Sequence, residues 1–179
     1  MTNEPAQRME IDEHLSGAKA IEKVRELLSK FRAGMLVTRA IEADEIHARP
    51  IALQGDAASF DGTLWFFADD RSRKAREIER SASASVMFQS DEDSRYLQLA
   101  GAATVVPDRS KMKELFTIRT RTWFPQGLDG PHLVLIRFDA AHGWFWDNPG
   151  GTIQVLAAFA KAIVTGTPGR TGRAGEMKM

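Results

Sequence analysis

The hydrophobic pattern along the chain changes period repeatedly, which predicts short strands interrupted by a few helices. Near the start, apolar residues recur at helical spacing and predict a helix that Ser16 would cap and that would end near residue 31. Its apolar face comprises Ile21, Val24, Leu27, Leu28 and Phe31. Apolar runs bounded by polar turns then predict strands at residues 35–41, 46–54, 64–68, 83–89 and 95–106.

The final part of the chain predicts one more succession of helix, loop and strands. Asp108 is a favourable N-cap for a helix from residue 109 to about 120. After a glycine-rich loop, apolar runs at residues 132–139 and 143–147 predict a pair of strands. Residues 153–164 carry an apolar face typical of a terminal helix. From residue 166 onward the chain is rich in glycine, threonine and arginine, which predicts a flexible tail.

The order of these elements favours a mainly β fold with helices, of the α+β class. Short strands joined by tight turns predict an antiparallel sheet, closed or half-closed as a barrel. No GxGxxG segment follows the first strand, which argues against a doubly wound dinucleotide fold. Gly101 lies inside the longest predicted strand and predicts a bulge or a close backbone approach. We expect one domain over residues 15–166, between flexible tails at 1–14 and 167–179.

Composition and charge narrow the class of partner. The 179 residues include 24 Lys or Arg and 24 Asp or Glu, so net charge gives no support for a nucleic-acid or membrane partner. No apolar run approaches the roughly 20 residues that span a bilayer, and the polar start is unlike a secretion signal. The absence of cysteine excludes disulfides, zinc–thiolate sites and a cysteine nucleophile. We expect a cytoplasmic protein.

Familiar catalytic and metal-binding motifs are absent from the sequence. The four histidines are scattered without HExxH spacing, and neither GxSxG nor GxxxxGK[ST] occurs. The acidic residues at 91–93 lack the alternating ligand spacing of a calcium loop and predict a solvated turn. We therefore predict no metal site, and the sequence identifies no catalytic residue.

Residues 64–78, LWFFADDRSRKAREI, form the most informative segment. Its aromatic start predicts a buried strand, and Ser72 is placed as the N-cap of a basic helix. A helix N-terminus presents unpaired N–H groups and a partial positive charge, to which Arg71, Arg73 and Lys74 add cations. This combination favours a phosphate, and the aromatic strand favours a nucleotide with a flat ring such as a flavin. An ordinary solvated helix accounts for the same residues and stays an open alternative.

Arg49, Pro50 and Ile51 lie within the second predicted strand. Proline has no N–H to donate to a central ladder, so it places this strand at a sheet edge or at a point where the strand meets something other than another strand. The neighbouring backbone groups are then available to a ligand ring that has its own donors and acceptors. A simple edge strand with Arg49 in solvent accounts for the same pattern, and the sequence leaves both interpretations open.

Taken together, these segments resemble the pyridoxamine 5′-phosphate oxidase-like flavoproteins, and above all their general stress protein branch. The resemblance covers residues 18–166 and extends to the order and spacing of the segments. The segments that carry it are HARPI at 47–51, LWFFADDRSRKAREI at 64–78, ASASVMFQ at 82–89, LQLAGAATVVPD at 97–108, TWFPQGLDGPHLVLIRF at 122–138 and GWFWD at 143–147. The resemblance implies a split β-barrel that binds FMN and forms a homodimer with the flavin at the subunit interface.

The resemblance also implies which residues hold the cofactor, which is FMN or, if one end of the pocket is open, FAD. In relatives, the arginine of the second strand and the two residues after it lie along the isoalloxazine ring; here these are Arg49, Pro50 and Ile51. The end of the third strand and an S-x-K turn hold the phosphate; here these are Phe67, Ala68, Ser72, Arg73 and Lys74. Candidates for contacts with the partner's ring are Gln89, Tyr96 and Trp123.

Several positions depart from the true oxidase. Arg95 and Tyr96 stand where the oxidase has arginine and glutamine, and the following helix lacks its Tyr, Arg, Ser pattern. The resemblance therefore implies a flavin site more strongly than it implies oxidation of pyridoxamine phosphate. Three interpretations stay open: an FMN-dependent oxidoreductase acting on an unknown small molecule, a flavin-binding stress protein without turnover, and a split barrel that binds another tricyclic cofactor such as F420.

Overall fold

The computed structural model describes residues 13–42, 45–90, 92, 94–147 and 173–179. Within these ranges the chain is mixed α+β, with more strands than helices. The elements in chain order are β1 Glu13–Ser16, α1 Ala18–Leu28, β2 Ala33–Arg39, β3 Ile46–Ala52, β4 Thr63–Asp69, α2 Arg73–Arg80, β5 Ser83–Ser90, β6 Arg95–Val106, α3 Arg109–Leu115, α4 Ile118–Trp123, β7 Leu133–Asp147 and β8 Arg173–Lys178.

The described strands form one sheet in the order β1-β8-β7-β6-β5-β2-β3, and β4 pairs with the first half of β7. Neighbouring strands are antiparallel except β1 and β8, which are parallel. The sheet does not close, because no ladder joins β3 to β4 in the described residues. Only an isolated bridge beyond the end of β3 reaches β4, in which the Gln54 N–H donates to the Trp65 carbonyl at 3.1 Å. The predicted α+β class and largely antiparallel sheet are confirmed, and the sheet is open.

Local sequence signals predict several features of the fold correctly. The Ser72 Oγ accepts a hydrogen bond from the Ala75 N–H at 3.4 Å and caps α2, as the sequence predicts. β6 has its predicted bounds, and its register with β7 shifts at Gly101. A Cβ added at Gly101 would collide with the Asp139 carbonyl oxygen, so the close backbone approach expected at this glycine is confirmed.

The strand pair predicted at residues 132–147 is wrong, because β7 is one continuous strand. Ala140 pairs with Gly101 and His142 pairs with Ala100, so Ala141 is the extra residue of a bulge. Both halves of β7 pair with β6, and the Ala-Ala-His segment has none of the glycine, proline or asparagine that would reverse the chain. The interruption in the hydrophobic pattern is therefore a bulge and not a hairpin turn.

The described residues near the two ends of the chain differ from the predicted tails. Glu13–Ser16 and Arg173–Lys178 are strands that pair with each other, and β8 also pairs with β7. Ser16 therefore lies in β1, and Gly17, with φ of 55°, is the N-cap of α1. Gly175 lies against Phe145, whose ring would overlap any added Cβ. The remaining parts of both predicted tails, the helix predicted at 153–164, and Asp91 and Asp93 of the predicted acidic turn lie outside the described residues.

The helix predicted at 109–120 is divided into α3 and α4. Asp108 caps α3 as expected, by accepting from the Lys111 N–H at 2.9 Å. The division comes at Thr117, which forms a reciprocal capping box with Thr120 and starts a second helix. Trp123, predicted in a loop, is consequently the last residue of α4.

The core fills the inner face of the sheet. Along β5, Ala84, Val86 and Phe88 are buried and the residues between them point outward. α1 adds its apolar face to the same cluster, and α2 lies against β2 and β6. This packing places the first turn of α2 next to the strands that carry the predicted ligand-binding residues. No helix among the described residues is long and apolar enough to span a membrane.

Candidate functional site

The turn between β4 and α2 is fixed by hydrogen bonds at both ends. The Asp70 N–H donates to the His132 carbonyl at 2.9 Å, and the Ser72 N–H donates to the Asp69 carbonyl at 3.0 Å. The buried residues Phe67 and Ala68 hold the strand below the turn, and the Phe67 ring packs edge-on against Phe116 at 5.6 Å. The turn therefore presents the N-terminus of α2 from a rigid base.

Arg71 does not add a free cation to this turn. Its backbone N–H, Nε and Nη2 donate to the Asp69 carboxylate at 2.8, 3.1 and 2.9 Å. These bonds lower the pKa of Asp69 to about 2, so the carboxylate is ionised at neutral pH and balances the guanidinium. The positive charge expected from Arg71 is therefore neutralised locally.

Glu77, on the second turn of α2, is the centre of a buried polar cluster. Its Oε2 accepts from Thr38 Oγ1 and from Arg49 Nη2, both at 2.6 Å. Its Oε1 lies 2.6 Å from His47 Nδ1 and 3.2 Å from Arg73 Nε. Arg49 Nη1 also donates to Thr38 Oγ1. The Glu77 side chain is completely buried, so one carboxylate joins β2, β3 and α2.

The Glu77 carboxylate stays charged inside this cluster. Burial by itself raises the pKa of Glu77, but the hydrogen bonds from Thr38, His47 and Arg49 outweigh it and lower the pKa from 4.5 to about 2. An ionised carboxylate can only accept, so His47 Nδ1 is the donor in its contact. The cluster is thus a buried anion surrounded by donors, two of which belong to arginines.

Lys74 has a different environment from the two arginines beside it. It is half-buried, and it makes no hydrogen bond or ion pair with the residues that the structure describes. Burial, followed by the positive charge of Arg49, lowers the pKa of Lys74, and Asp69 opposes this only in part. A dianion bound beside Lys74 and the N–H groups of α2 would relieve this unbalanced charge.

Among the described strands, the backbone of β3 beside this cluster is open along one edge. The Ala40 N–H donates to the Glu45 carbonyl, and the Leu53 N–H donates to the Arg32 carbonyl. The β2–β3 register then makes Arg49 and Ile51 hydrogen-bonded partners of β2, whereas Pro50 is in a pair without hydrogen bonds. Pro50 therefore lies where β2 needs no N–H. The edge strand predicted from this proline is confirmed among the described strands.

The predicted site residues fall into two groups. Arg49, Ser72, Arg73 and Lys74 come together where β3 meets α2, and Phe67 and Ala68 lie buried in β4 just before the turn. Ile51 is buried on the inner face of β3. Gln89, Tyr96 and Trp123 are not part of this cluster.

Gln89 and Tyr96 lie opposite each other on the outer face of the sheet. Beside them Met87 pairs with Met35, which in turn pairs with Pro50. Met35, Met87 and Tyr96 keep 37%, 44% and 40% of their surface exposed, which is unusual for three apolar side chains in adjacent strands. Trp123 is 78% exposed at the end of α4.

Sequence reasoning missed Glu77, Thr38 and His47. His47 and Arg49 alternate along one strand, so their shared face could have been predicted. Glu77 follows Arg73 at helical spacing and precedes Ile78, which places an acid on the inner side of α2. Its contact with Thr38 joins residues 39 positions apart and depends on the sheet topology. Among the described residues, no group of three His, Asp or Glu side chains is placed to hold a metal ion.

Comparison with known proteins gives one family and a set of solved structures. The family described as pyridoxamine 5′-phosphate oxidase like matches residues 19–169. No curated protein matches the chain in sequence.

Three solved structures illustrate the likeness. A protein described as general stress protein 26 from Jannaschia sp. CCS1 is 22% identical, with a TM-score of 0.73 over 91% of this chain and 100% of that one. The general stress FMN/FAD binding protein from Xanthomonas citri is 24% identical, with a TM-score of 0.62 over 73% and 90%. A pyridoxamine 5′-phosphate oxidase-related, FMN binding protein from Nostoc punctiforme is 18% identical, with a TM-score of 0.54 over 73% and 81%. At these identities the likeness establishes the fold.

Proposed function

We propose that this chain, which belongs to the pyridoxamine 5′-phosphate oxidase-like family, is an FMN-binding protein of the general stress type. The observation that carries the proposal is the half-buried Lys74 at the N-terminus of α2, which the described residues leave without a hydrogen bond or ion pair and whose charge is opposed by that of Arg49. Relatives described as FMN binding or FMN/FAD binding share this fold. The proposal assigns the phosphate end of the flavin to the first turn of α2.

In this assignment the residues of α2 and the end of β4 hold the phosphate. Lys74 supplies the cation, the first turn of α2 supplies backbone N–H donors, and the Ser72 hydroxyl lies beside them. Arg73 shares its charge with Glu77 at 3.2 Å, so it contributes less than Lys74. Phe67 and Ala68 form the buried base of the turn and fix its position.

The ring of the flavin is assigned to the open edge of β3. The backbone of Ala48 and the carbonyl of Pro50 point away from β2, so the edge offers donors and acceptors to a planar heterocycle. Ile51 adds apolar surface on the inner side. These groups fit a ring that carries its own N–H and C=O groups.

The proposal includes a homodimer whose partner completes the site. The exposed Met35, Met87 and Tyr96 lie on one outer face, and a second copy packed there would remove this apolar surface from water. Gln89 and Tyr96 belong to that face and would reach the partner's flavin, together with the exposed Trp123 of α4.

The proposed activity is that of a flavin-dependent oxidoreductase acting on an unknown small molecule. Bound flavin supplies hydride and single-electron chemistry, while the protein binds and orients it and limits the access of water. Arg95 keeps the oxidase's arginine but Tyr96 stands where the oxidase has glutamine, so pyridoxamine phosphate is not the proposed substrate. A flavin-binding protein without turnover is the alternative.

The deciding experiment is the visible absorbance spectrum of the freshly purified protein, with mass spectrometry of the molecule released on denaturation. Flavin bands and the mass of FMN support the proposal. A colourless protein that takes up no added FMN contradicts it, and a released F420 identifies a different tricyclic cofactor. Steady oxidation of a reduced nicotinamide cofactor by the loaded protein then separates the oxidoreductase from the binding protein without turnover.

A further inference from the structure

We propose that Glu77 is a positioning residue, which holds the Arg49 guanidinium beside Lys74 and thereby makes the site selective for a phosphorylated ligand. This inference rests on the proposed FMN site and extends it to a residue that would not touch the ligand. Glu77 is completely buried, whereas Arg49 keeps 21% of its side chain exposed. The pair therefore has an inner anion and an outer cation.

The contacts around Glu77 fix the direction of Arg49. Arg49 Nη2 donates to Glu77 Oε2 at 2.6 Å, and Arg49 Nη1 donates to Thr38 Oγ1. Thr38 in turn donates to Glu77 at 2.6 Å, so its hydroxyl orientation is determined as well. A guanidinium has five N–H donors in a planar fork. Arg49 uses two of these donors inside the cluster, and its two acceptors, Thr38 and Glu77, fix the plane of the guanidinium. Within the described residues, the other N–H groups are available to a ligand.

Charge explains why such an anchor is needed. Arg49 and Lys74 repel each other enough to contribute to the lowered pKa of Lys74, after burial. Without the carboxylate, Arg49 would gain by swinging into solvent, because its side chain is partly exposed and its partner would be gone. With the carboxylate in place, both cations remain at the start of α2. A phosphate ester gains from this arrangement, whereas the same ring without a phosphate gains little.

If Glu77 only stabilised the fold through its ion pair with Arg49, the expected result would be different. Breaking a purely structural pair would lower the affinity for every ligand of the site by the same factor. A positioning role changes the ratio between the affinities for FMN and riboflavin, which differ only in the phosphate. It also requires that Glu77 act through Arg49, so substitutions of the two residues would not be additive.

The experiment compares Glu77→Gln with Glu79→Gln in the full chain. Glu79 is exposed on the same helix, so its substitution removes one charge from α2 without touching the cluster. We expect Glu77→Gln to weaken FMN binding roughly tenfold while riboflavin binding changes much less. Glu79→Gln is expected to leave both affinities unchanged. Titration of the quenching of flavin fluorescence measures them.

Two further variants keep the test decisive. In the double variant Glu77→Gln, Arg49→Ala, the FMN affinity should equal that of Arg49→Ala alone, whereas additive losses would contradict the proposal. If Glu77→Gln does not fold, Thr38→Val tests the same orientation, and an unchanged FMN-to-riboflavin ratio in that variant overturns it. An original chain that binds no FMN refutes the proposed function. A chain that binds FMN with a ratio insensitive to Glu77 refutes only this inference.

Discussion

Arg49 on β3 donates a 2.6 Å hydrogen bond to Glu77 on α2, and this partly buried ion pair, whose carboxylate is completely buried, joins the edge strand to the helix. A strand and a helix share no backbone ladder, so side-chain contacts determine how β3 and α2 meet. Removal of one partner from a buried pair leaves the other charge uncompensated, which is more costly than the loss of a surface pair. The junction therefore affects both the stability of the fold and the shape of the proposed site.

Acid should weaken this junction in a defined pH range. The pKa of Glu77 is about 2 in the folded chain and 4.5 when it is unperturbed. A lowered pKa stabilises the fold above pH 4.5, and this contribution is lost as pH falls from 4.5 towards 2. The difference corresponds to roughly 3 kcal/mol. Urea unfolding at several pH values should show the original chain and Glu77→Gln converging below pH 4.5, and parallel curves would contradict the assignment.

Lys74 should dominate the recognition of the phosphate. Lys74→Ala removes a half-buried cation of the first turn of α2 that has no hydrogen bond or ion pair with the described residues, and FMN affinity should fall by at least about tenfold. Combining it with Ser72→Ala should increase the loss. Arg76→Ala is the matched control, because Arg76 is an exposed cation of the same helix. If FMN and riboflavin weaken equally, the phosphate assignment is wrong.

The outer face of the sheet should be needed for dimer formation. Met87→Asp places a charge next to Met35 in the centre of this face, where a partner copy would have to bury it. We expect light scattering after size exclusion to show a monomer that has also lost FMN affinity. Lys19→Asp is the control, because Lys19 is exposed on α1, which packs on the inner face of the sheet. A monomeric Met87→Asp variant that binds FMN normally would separate the site from the dimer.

A second buried carboxylate should be important for folding. Asp147 accepts from Lys23 Nζ at 2.6 Å and from Arg95 Nε at 2.7 Å, and these bonds lower its pKa against the opposing effect of burial. Asp147→Asn should reduce the free energy of unfolding by about 3 kcal/mol or more, measured with urea at pH 7. Asp139→Asn on the same strand, which breaks a half-exposed pair with Arg137, should cost less than about 1 kcal/mol. Equal losses would contradict this distinction.

The fold was predictable where the signal was local. Ser72 and Asp108 are N-caps that act over three residues, and a glycine inside an apolar strand, Gly101, by itself signals a close approach of another backbone, here that of Asp139 on β7. The continuity of β7 was not predictable, because the Ala140–His142 irregularity interrupts the alternation in the same way as a turn. β8 was missed because its segment is short and glycine-containing, and only pairing with β1 and β7 makes it a strand.

The candidate site was predictable in its residues but not in its connections. The cationic turn at Ser72 and Lys74 and the edge strand at Pro50 follow from helix-cap and proline chemistry. The pairing of Arg71 with Asp69 and of Arg73 with Glu77 depends on side-chain conformations that charge counting does not reveal. Which cation remains unpaired is therefore a property of the folded chain.

An open sheet edge is also a hazard, because a row of unpaired N–H and C=O groups can recruit a strand from another molecule and start aggregation. Pro50 stands in the middle of that row with no N–H and with a ring that obstructs an incoming strand. The residue that leaves the proposed ring site open therefore also makes this edge a poor template for a further polypeptide.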